Sequence, residues 1–281
     1  MILRKPGLPS GWYPQSAELA AQFLRRFSRN DGSRGTAVAV VAPHAGWAYS
    51  GELAARSVAA LRSDAETVVV AGGHLPAGAP PLFAMEDGVL TPLGALEIDG
   101  EFRDALVKEL GGVSDNYADN TVEVQLPIVK YFFPKARLVS LRLGAEIQSA
   151  AVGRIIARTA AVLGRSCVLL GSTDLTHYGK NYGFCPYGSG PGVPELVKTR
   201  HDDPFIQAAL SGGSEETLRR AEQDSSACSV GAVLACQGFA QTVNAARAEL
   251  LAYATSADAL PLKAGESPES FVGYAAMAWS V

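Results

Sequence analysis

Three of the four histidines in this 281-residue chain fall where a metal or proton-transfer site is most easily built. His44 lies in Pro43-His44-Ala45-Gly46, His74 in Gly72-Gly73-His74-Leu75, and His177 in Asp174-Leu175-Thr176-His177-Tyr178-Gly179. Each comes shortly after a run rich in small and β-branched apolar residues. Imidazole suits zinc, copper and iron, and it also exchanges protons near neutral pH. Two imidazoles with one anionic ligand leave open positions on a ferrous ion for oxygen or a substrate. The anions available for that role are Asp174, Glu123, Asp224 and the thiolate of Cys228, and spacing does not choose among them.

Local context gives each candidate a plainer role as well. Glu123 follows Asp119 and Asn120, either of which can cap a helix, so its carboxylate could simply complement a helix N-terminus. Cys228 precedes an apolar helical stretch, where a thiol has a reason to ionise and to bind metal. His201, beside Asp202, Asp203 and Pro204, reads as a residue at a helix start, outside any site. Cys167 and Cys236 sit in apolar runs as small buried hydrophobes. No CxxC pair occurs, so the four cysteines read as reduced thiols of a cytoplasmic protein. Neither a P-loop pattern nor GxGxxG is present, which removes the usual nucleotide sites.

The elements that must position these residues are short. Residues 37–42, 67–71, 137–143 and 167–171 are nearly continuous in Val, Ile, Leu and Ala, as strands buried on both faces of a parallel sheet would be. Helical patterns at 16–27, 51–61, 100–110 and 149–163 alternate with them. That order predicts an α/β three-layer sandwich. Two further strands at 250–255 and 271–279 would make the sheet mixed. The Gly- and Pro-rich stretch 186–194 reads as a surface loop, and residues 1–281 read as one domain. In open sheets of this kind ligands gather beyond the carboxyl ends of the strands. His44, His74 and Asp174 all follow such ends.

Composition narrows the partners. Hydrophobic residues make up 48% and charged residues 19%, with a net charge of −4. A dense core is feasible, and neither nucleic acid nor an anionic membrane is the expected partner. No apolar run reaches the ~20 residues needed to cross a bilayer. Residues 1–10 lack the apolar run of a signal peptide, so export is not expected.

Several segments together resemble the Memo family, whose prokaryotic members are also called AmmeMemoRadiSam system protein B. They are Gly11-Trp12-Tyr13-Pro14, Pro43-His44-Ala45-Gly46 with Tyr49-Ser50-Gly51, Thr91-Pro92-Leu93-Gly94, residues 120–127, Ser172 through Gly179, and Val272-Gly273-Tyr274-Ala275-Ala276. The resemblance implies a fold similar to the class III non-haem iron dioxygenases, with a metal pocket made by two histidines and a cysteine. Carried over by position, it implies His44 and Cys228 as ligands, Asp174 and His177 as pocket residues with acid/base roles, and Glu123 as a pocket carboxylate. The family's usual Pro-Ser-His-His segment is Gly72-Gly73-His74-Leu75 here. Either His74 is the second imidazole ligand through a one-residue shift, or the ligand position is Leu75 and the site is impaired; the expectation favours His74. After Cys228 the usual Gly and Pro are replaced by Ser229-Val230-Gly231-Ala232.

The resemblance and the residues together lead to the expectation of an iron- or copper-binding redox protein, with zinc also compatible. It would be an oxidoreductase resembling the dioxygenases, acting on a small molecule. The alternative is a non-catalytic protein that binds a ligand or peptide in the same pocket. The resemblance also implies a functional link to a radical SAM protein, and the apolar balance leaves room for a homo-oligomer.

Overall fold

The computed structural model describes residues 1–27, 35–259 and 268–281. The Ala37–Ala42 strand is buried at every position, as is Cys167–Ser172. Alternate side chains of these strands point to opposite faces, and both faces are covered. Ala39, Val41, Val69 and Leu169 pack with Ile156, Val233 and Phe239, from the helices Ser149–Val162 and Val230–Thr242. Val40, Val68, Val70 and Leu170 pack on the other side with Leu24, Val58 and Ile128. Those three residues come from the helices Ala17–Arg25, Trp47–Ala60 and Leu126–Phe132. The architecture is therefore an α/β sandwich of three layers.

From one edge the large sheet runs His177–Gly179, Ser270–Ser280, Ala37–Ala42, Cys167–Ser172, Thr67–Leu75, Arg137–Gly144, Leu82–Phe83 and Val113–Ser114, with Arg247–Thr255 also paired to Ser270–Ser280. The Ala37–Ala42, Cys167–Ser172, Thr67–Leu75 and Arg137–Gly144 strands are mutually parallel. Ser270–Ser280 pairs antiparallel to Ala37–Ala42, so the sheet is mixed. The parallel strands thus end on one side, where His44 and Asp174 follow and His74 is the last residue but one of its strand.

Boundaries differ from the sequence reading where side-chain chemistry intervenes. The helix expected from residue 51 already begins at Trp47, because the Trp47 amide donates to Trp12 O and its indole to Val124 O, which ties the first turn to two neighbouring segments. The loop expected at 186–194 gives way to a short helix, Val193–Val197, with Pro194 in its first turn. A small sheet of Leu3–Arg4, Gly88–Thr91 and Gly94–Glu97 was not legible in the sequence. Its strands are too short for a periodic signal. Cys228 lies two residues ahead of the Val230–Thr242 helix, so it is in the approach to that helix and outside its first turn.

Candidate metal centre

Two glycines and one unusual backbone bring the second histidine into place. A Cβ on Gly72 would lie 2.2 Å from Thr121 Oγ1, and one on Gly73 would lie 2.3 Å from Ser229 Oγ. Only glycine lets the strand end pass between those two side chains. His74 then adopts φ 60°, and the register with the neighbouring strand shifts between Gly72 and Leu75. A left-handed non-glycine residue costs roughly 1–2 kcal/mol, so something must hold it there. The strain turns the ring toward His44: the two ring centroids are 5.2 Å apart at 84°.

His44, His74 and Cys228 each offer one ligand atom, and these atoms all lie within 4.8 Å of one another. His44 Nε2 is 3.2 Å from Cys228 Sγ and 3.8 Å from Asp174 Oδ2, while its Nδ1 faces Ser172 Oγ at 3.3 Å. The His44 amide donates to Asp174 Oδ1 at 2.7 Å. His74 Nδ1 lies 3.4 Å from Asp119 Oδ2, which also accepts from Arg142 Nη1 at 3.1 Å. Of the two alternatives raised by the Gly72-Gly73-His74-Leu75 segment, the fold brings His74 into the cluster and pairs Leu75 in the sheet with Gly144.

The charges support one another. Burial holds the Cys228 thiol up, but His44 first and then His74 overcome it, and the thiol lies well below its ordinary range. Burial likewise opposes charge on His44, yet Asp174 and Cys228 push that imidazole up to about 9. The Asp119 hydrogen bond leads the contributions that raise His74 to about 10. Asp119 is drawn down to about 2 against its own burial, chiefly by His74 and Thr121. Burial raises Asp174, with His44 opposing. By contrast, burial first of all lifts Cys167 and Cys236 to about 12, as inert core thiols. Two imidazoles held from behind and a thiol kept as thiolate are a donor set that fits a borderline or soft transition metal. His44, His74 and Cys228 can therefore hold a metal ion.

A cavity of about 400 Å³ opens over this cluster, lined by His44, His74, Asp174 and His177 and by Trp12, Tyr49, Tyr182 and Tyr274, among others. His177 Nδ1 is fixed against Leu175 O at 3.1 Å, and its ring meets Tyr182 edge-on with centroids 5.0 Å apart. Asp174 and His177 thus share the pocket with the cluster. Glu123 does not join them: it borders a separate cavity of about 240 Å³. Its Oε2 accepts from Gly7 N, and its Oε1 accepts from Leu8 N and Tyr13 Oη. It straps down the N-terminal segment, since the short helix Asn120–Glu123 turns its side chain away from the strand ends. Asp224 pairs with Arg220 within its own helix. His201 is bonded to Tyr187 Oη and Asp224 O, away from the site.

The residues that sequence reasoning missed lie around Glu123. Asn120 Nδ2 donates to His44 O, Thr121 Oγ1 accepts from Gly73 N, and Gln125 Nε2 donates to Pro43 O. With Asp119 on His74, one stretch of seven residues touches both histidine-bearing strand ends. Its polar spacing is visible in the sequence, but the carboxylate inside the helix carries the louder chemical signal.

The family described as Memo-like protein matches residues 4–278 of the chain. A MEMO1 family protein of Pyrococcus abyssi is 34% identical, over 98% of this chain and 99% of its own. A MEMO1 family protein of Pyrococcus horikoshii is 31% identical over 98% of each chain. One from Methanopyrus kandleri is 32% identical over 98% of each.

Proposed function

The chain belongs to the Memo-like protein family, and on that premise we propose that it is a metal-dependent redox protein acting on a small molecule. The observation that carries this reading is the convergence of His44, His74 and Cys228 within 4.8 Å, with both imidazoles lining an open pocket. A thiolate with two imidazoles favours iron or copper and also accepts zinc. Bound there, iron or copper would supply electron transfer and open coordination positions. Oxygen is the co-substrate that best suits such a centre, which makes the protein an oxidase or dioxygenase-like enzyme in this reading.

The remaining work falls to the chain's own groups. With His177 Nδ1 donating to Leu175 O, Nε2 is left as an acceptor that can take a proton from a substrate in the pocket. Asp174, 3% exposed, holds the His44 backbone with Oδ1 and sets its other oxygen beside the cluster. Trp12, Tyr49, Tyr182 and Tyr274 wall the pocket with aromatic faces that limit water and favour a planar ligand. A hydrolytic reading, with zinc-bound water beside His177 or Glu123, loses its second candidate, because Glu123 is spent on the N-terminal strap.

One observation favours a second reading, in which the pocket binds a ligand without turning it over. Tyr49 and Tyr182 are 49% and 48% exposed at the rim, an open aromatic mouth suited to a larger ligand. The deciding experiment is metal analysis of protein purified anaerobically without a metal-affinity step, followed by oxygen uptake with candidate small molecules. Near-stoichiometric iron or copper that falls in Cys228→Ser, with oxygen uptake, supports the redox reading. Metal-free protein that resists anaerobic reconstitution overturns it in favour of ligand binding.

A further inference from the structure

Gln125 is completely buried, and it spends both amide protons within reach of His44. One goes to Pro43 O at 2.8 Å and the other to Ser172 Oγ at 3.1 Å. A carbonyl oxygen only accepts, so the contact with Pro43 fixes which end of the amide is nitrogen. The opposite atom, Gln125 Oε1, is buried with no hydrogen-bond partner among the described residues. Leaving such an acceptor unmade costs the folded state its desolvation without a compensating bond. An apolar side chain of the same length would remove that orphan but leave the buried Pro43 O without its donor. The cost points to a requirement for the two donors.

We infer that Gln125 is a positioning residue for the metal: through Ser172 Oγ and Pro43 O it holds His44 with Nδ1 as the proton-bearing nitrogen and Nε2 as the ligand. This inference rests on the metal-binding reading. His44 Nε2 is the nitrogen that faces Cys228 Sγ, at 3.2 Å, so ligation by that atom requires the ring proton on Nδ1. An acceptor must then stand at Nδ1, and Ser172 Oγ does so at 3.3 Å. A serine hydroxyl by itself is ambivalent, because it can also donate to Nδ1 and drive the proton onto Nε2. Gln125 occupies one Ser172 lone pair from behind and so fixes that oxygen, whose second lone pair accepts Nδ1–H when Nε2 is taken up as the ligand. The same amide anchors the carbonyl just before His44, while Asn120 Nδ2 holds the carbonyl of His44 itself at 3.2 Å. Asp119 stands behind His74 Nδ1 in the corresponding place, so each imidazole has its own backing group.

The test uses Co(II) as the probe, titrated into metal-free full-length protein against a competing chelator and followed by the thiolate-to-cobalt absorption. Four variants are compared with the parent: Gln125→Met, Ser172→Ala, the double variant and His44→Ala. Gln125→Met keeps length and exchanges one orphaned acceptor, Gln125 Oε1, for another, Pro43 O, so its metal-free melting temperature should stay close to the parent's. Its Co(II) affinity should nevertheless fall 10–100-fold, as should that of Ser172→Ala. The double variant should be no weaker than the weaker single one, because the two residues act in one chain. Parent-like affinity in Gln125→Met and Ser172→Ala, with binding lost in His44→Ala, would overturn the inference and leave the metal reading standing. Absence of the thiolate-to-cobalt absorption in the parent would overturn both.

Discussion

Asp119 Oδ2 stands 3.4 Å from His74 Nδ1, and so holds the one histidine of the cluster whose backbone is left-handed. The carboxylate that does this is itself held. Arg142, 5% exposed, grips Asp115 with Nε at 2.8 Å and Nη2 at 2.9 Å and reaches Asp119 with Nη1. Replacing Arg142 by Met leaves Asp115 without its cation in a buried setting, while Asp119 keeps His74. Breaking such a group costs about 3–5 kcal/mol. Urea unfolding of metal-free Arg142→Met should show a loss of that size, and adding Asp115→Asn should recover part of it. An unchanged midpoint would mean that solvent reaches these groups far more freely than their burial indicates.

Removing a ligand should act differently from removing a supporting group. Cys228→Ser exchanges a thiolate, held low by His44 and His74, for a hydroxyl that stays protonated. Iron or copper retention should fall by more than the 10–100-fold typical of a supporting residue. The metal-free fold should be almost unaffected, since Cys228 is half-buried and belongs to neither large core cluster. Metal-to-protein ratio after gel filtration, with melting temperature beside it, separates the two effects. Equal metal content in Cys228→Ser and the parent would remove the thiolate from the ligand set.

The strands were the most legible part of the chain, for a physical reason. Ala37–Ala42 and Cys167–Ser172 are buried on both faces, so their sequences are mostly apolar, whereas Arg137–Gly144 is buried too but carries Ser140 and Arg142. The site was legible as far as it follows those strand ends: His44, His74, Asp174 and His177 come together around one pocket. Spacing could not choose Cys228 over Glu123 as the anionic ligand, because its partners are 184 residues away at His44 and 154 at His74. The supporting polar residues were illegible for the same reason. Nothing near Gln125 in the chain tells that its amide meets Pro43 and Ser172. Glu123 misled because a carboxylate among polar residues carries the same local signal whether it faces a metal or a backbone.

Glu123 now makes a sharp prediction of its own. Its oxygens take the Gly7 and Leu8 amides and the Tyr13 hydroxyl, so Glu123→Ala frees the segment that carries Trp12 into the pocket wall. Hydrogen bonds to a charged acceptor contribute about 1.5–3 kcal/mol each, less where water can replace the partner, as at exposed Gly7. The variant should lose about 1–3 kcal/mol of stability while keeping its full metal content. Proteolysis near the N-terminus should accelerate. Loss of metal with an intact N-terminal segment would restore Glu123 to the pocket.

Asp202 sets the last expectation, on pH. It is fully buried, accepts from the amide and hydroxyl of Thr176 and from Tyr253 Oη, and thereby fixes the residue just before His177. Burial raises its carboxyl above the ordinary range despite those bonds. A carboxyl whose pKa is higher folded than unfolded binds its proton more tightly in the folded state. Its contribution to stability is therefore fully present below the unfolded value of about 3.9 and is lost as pH rises through the raised folded value. In Asp202→Asn the amide oxygen can keep the Thr176 bonds, and Tyr253 Oη can turn to accept from the amide nitrogen. The variant should consequently gain on the parent between about pH 4 and about pH 7.5, as measured by urea midpoints at both values. If the parent instead gains on the variant over that interval, Asp202 is ionised and well paired at neutral pH, and His177 is positioned by a charge.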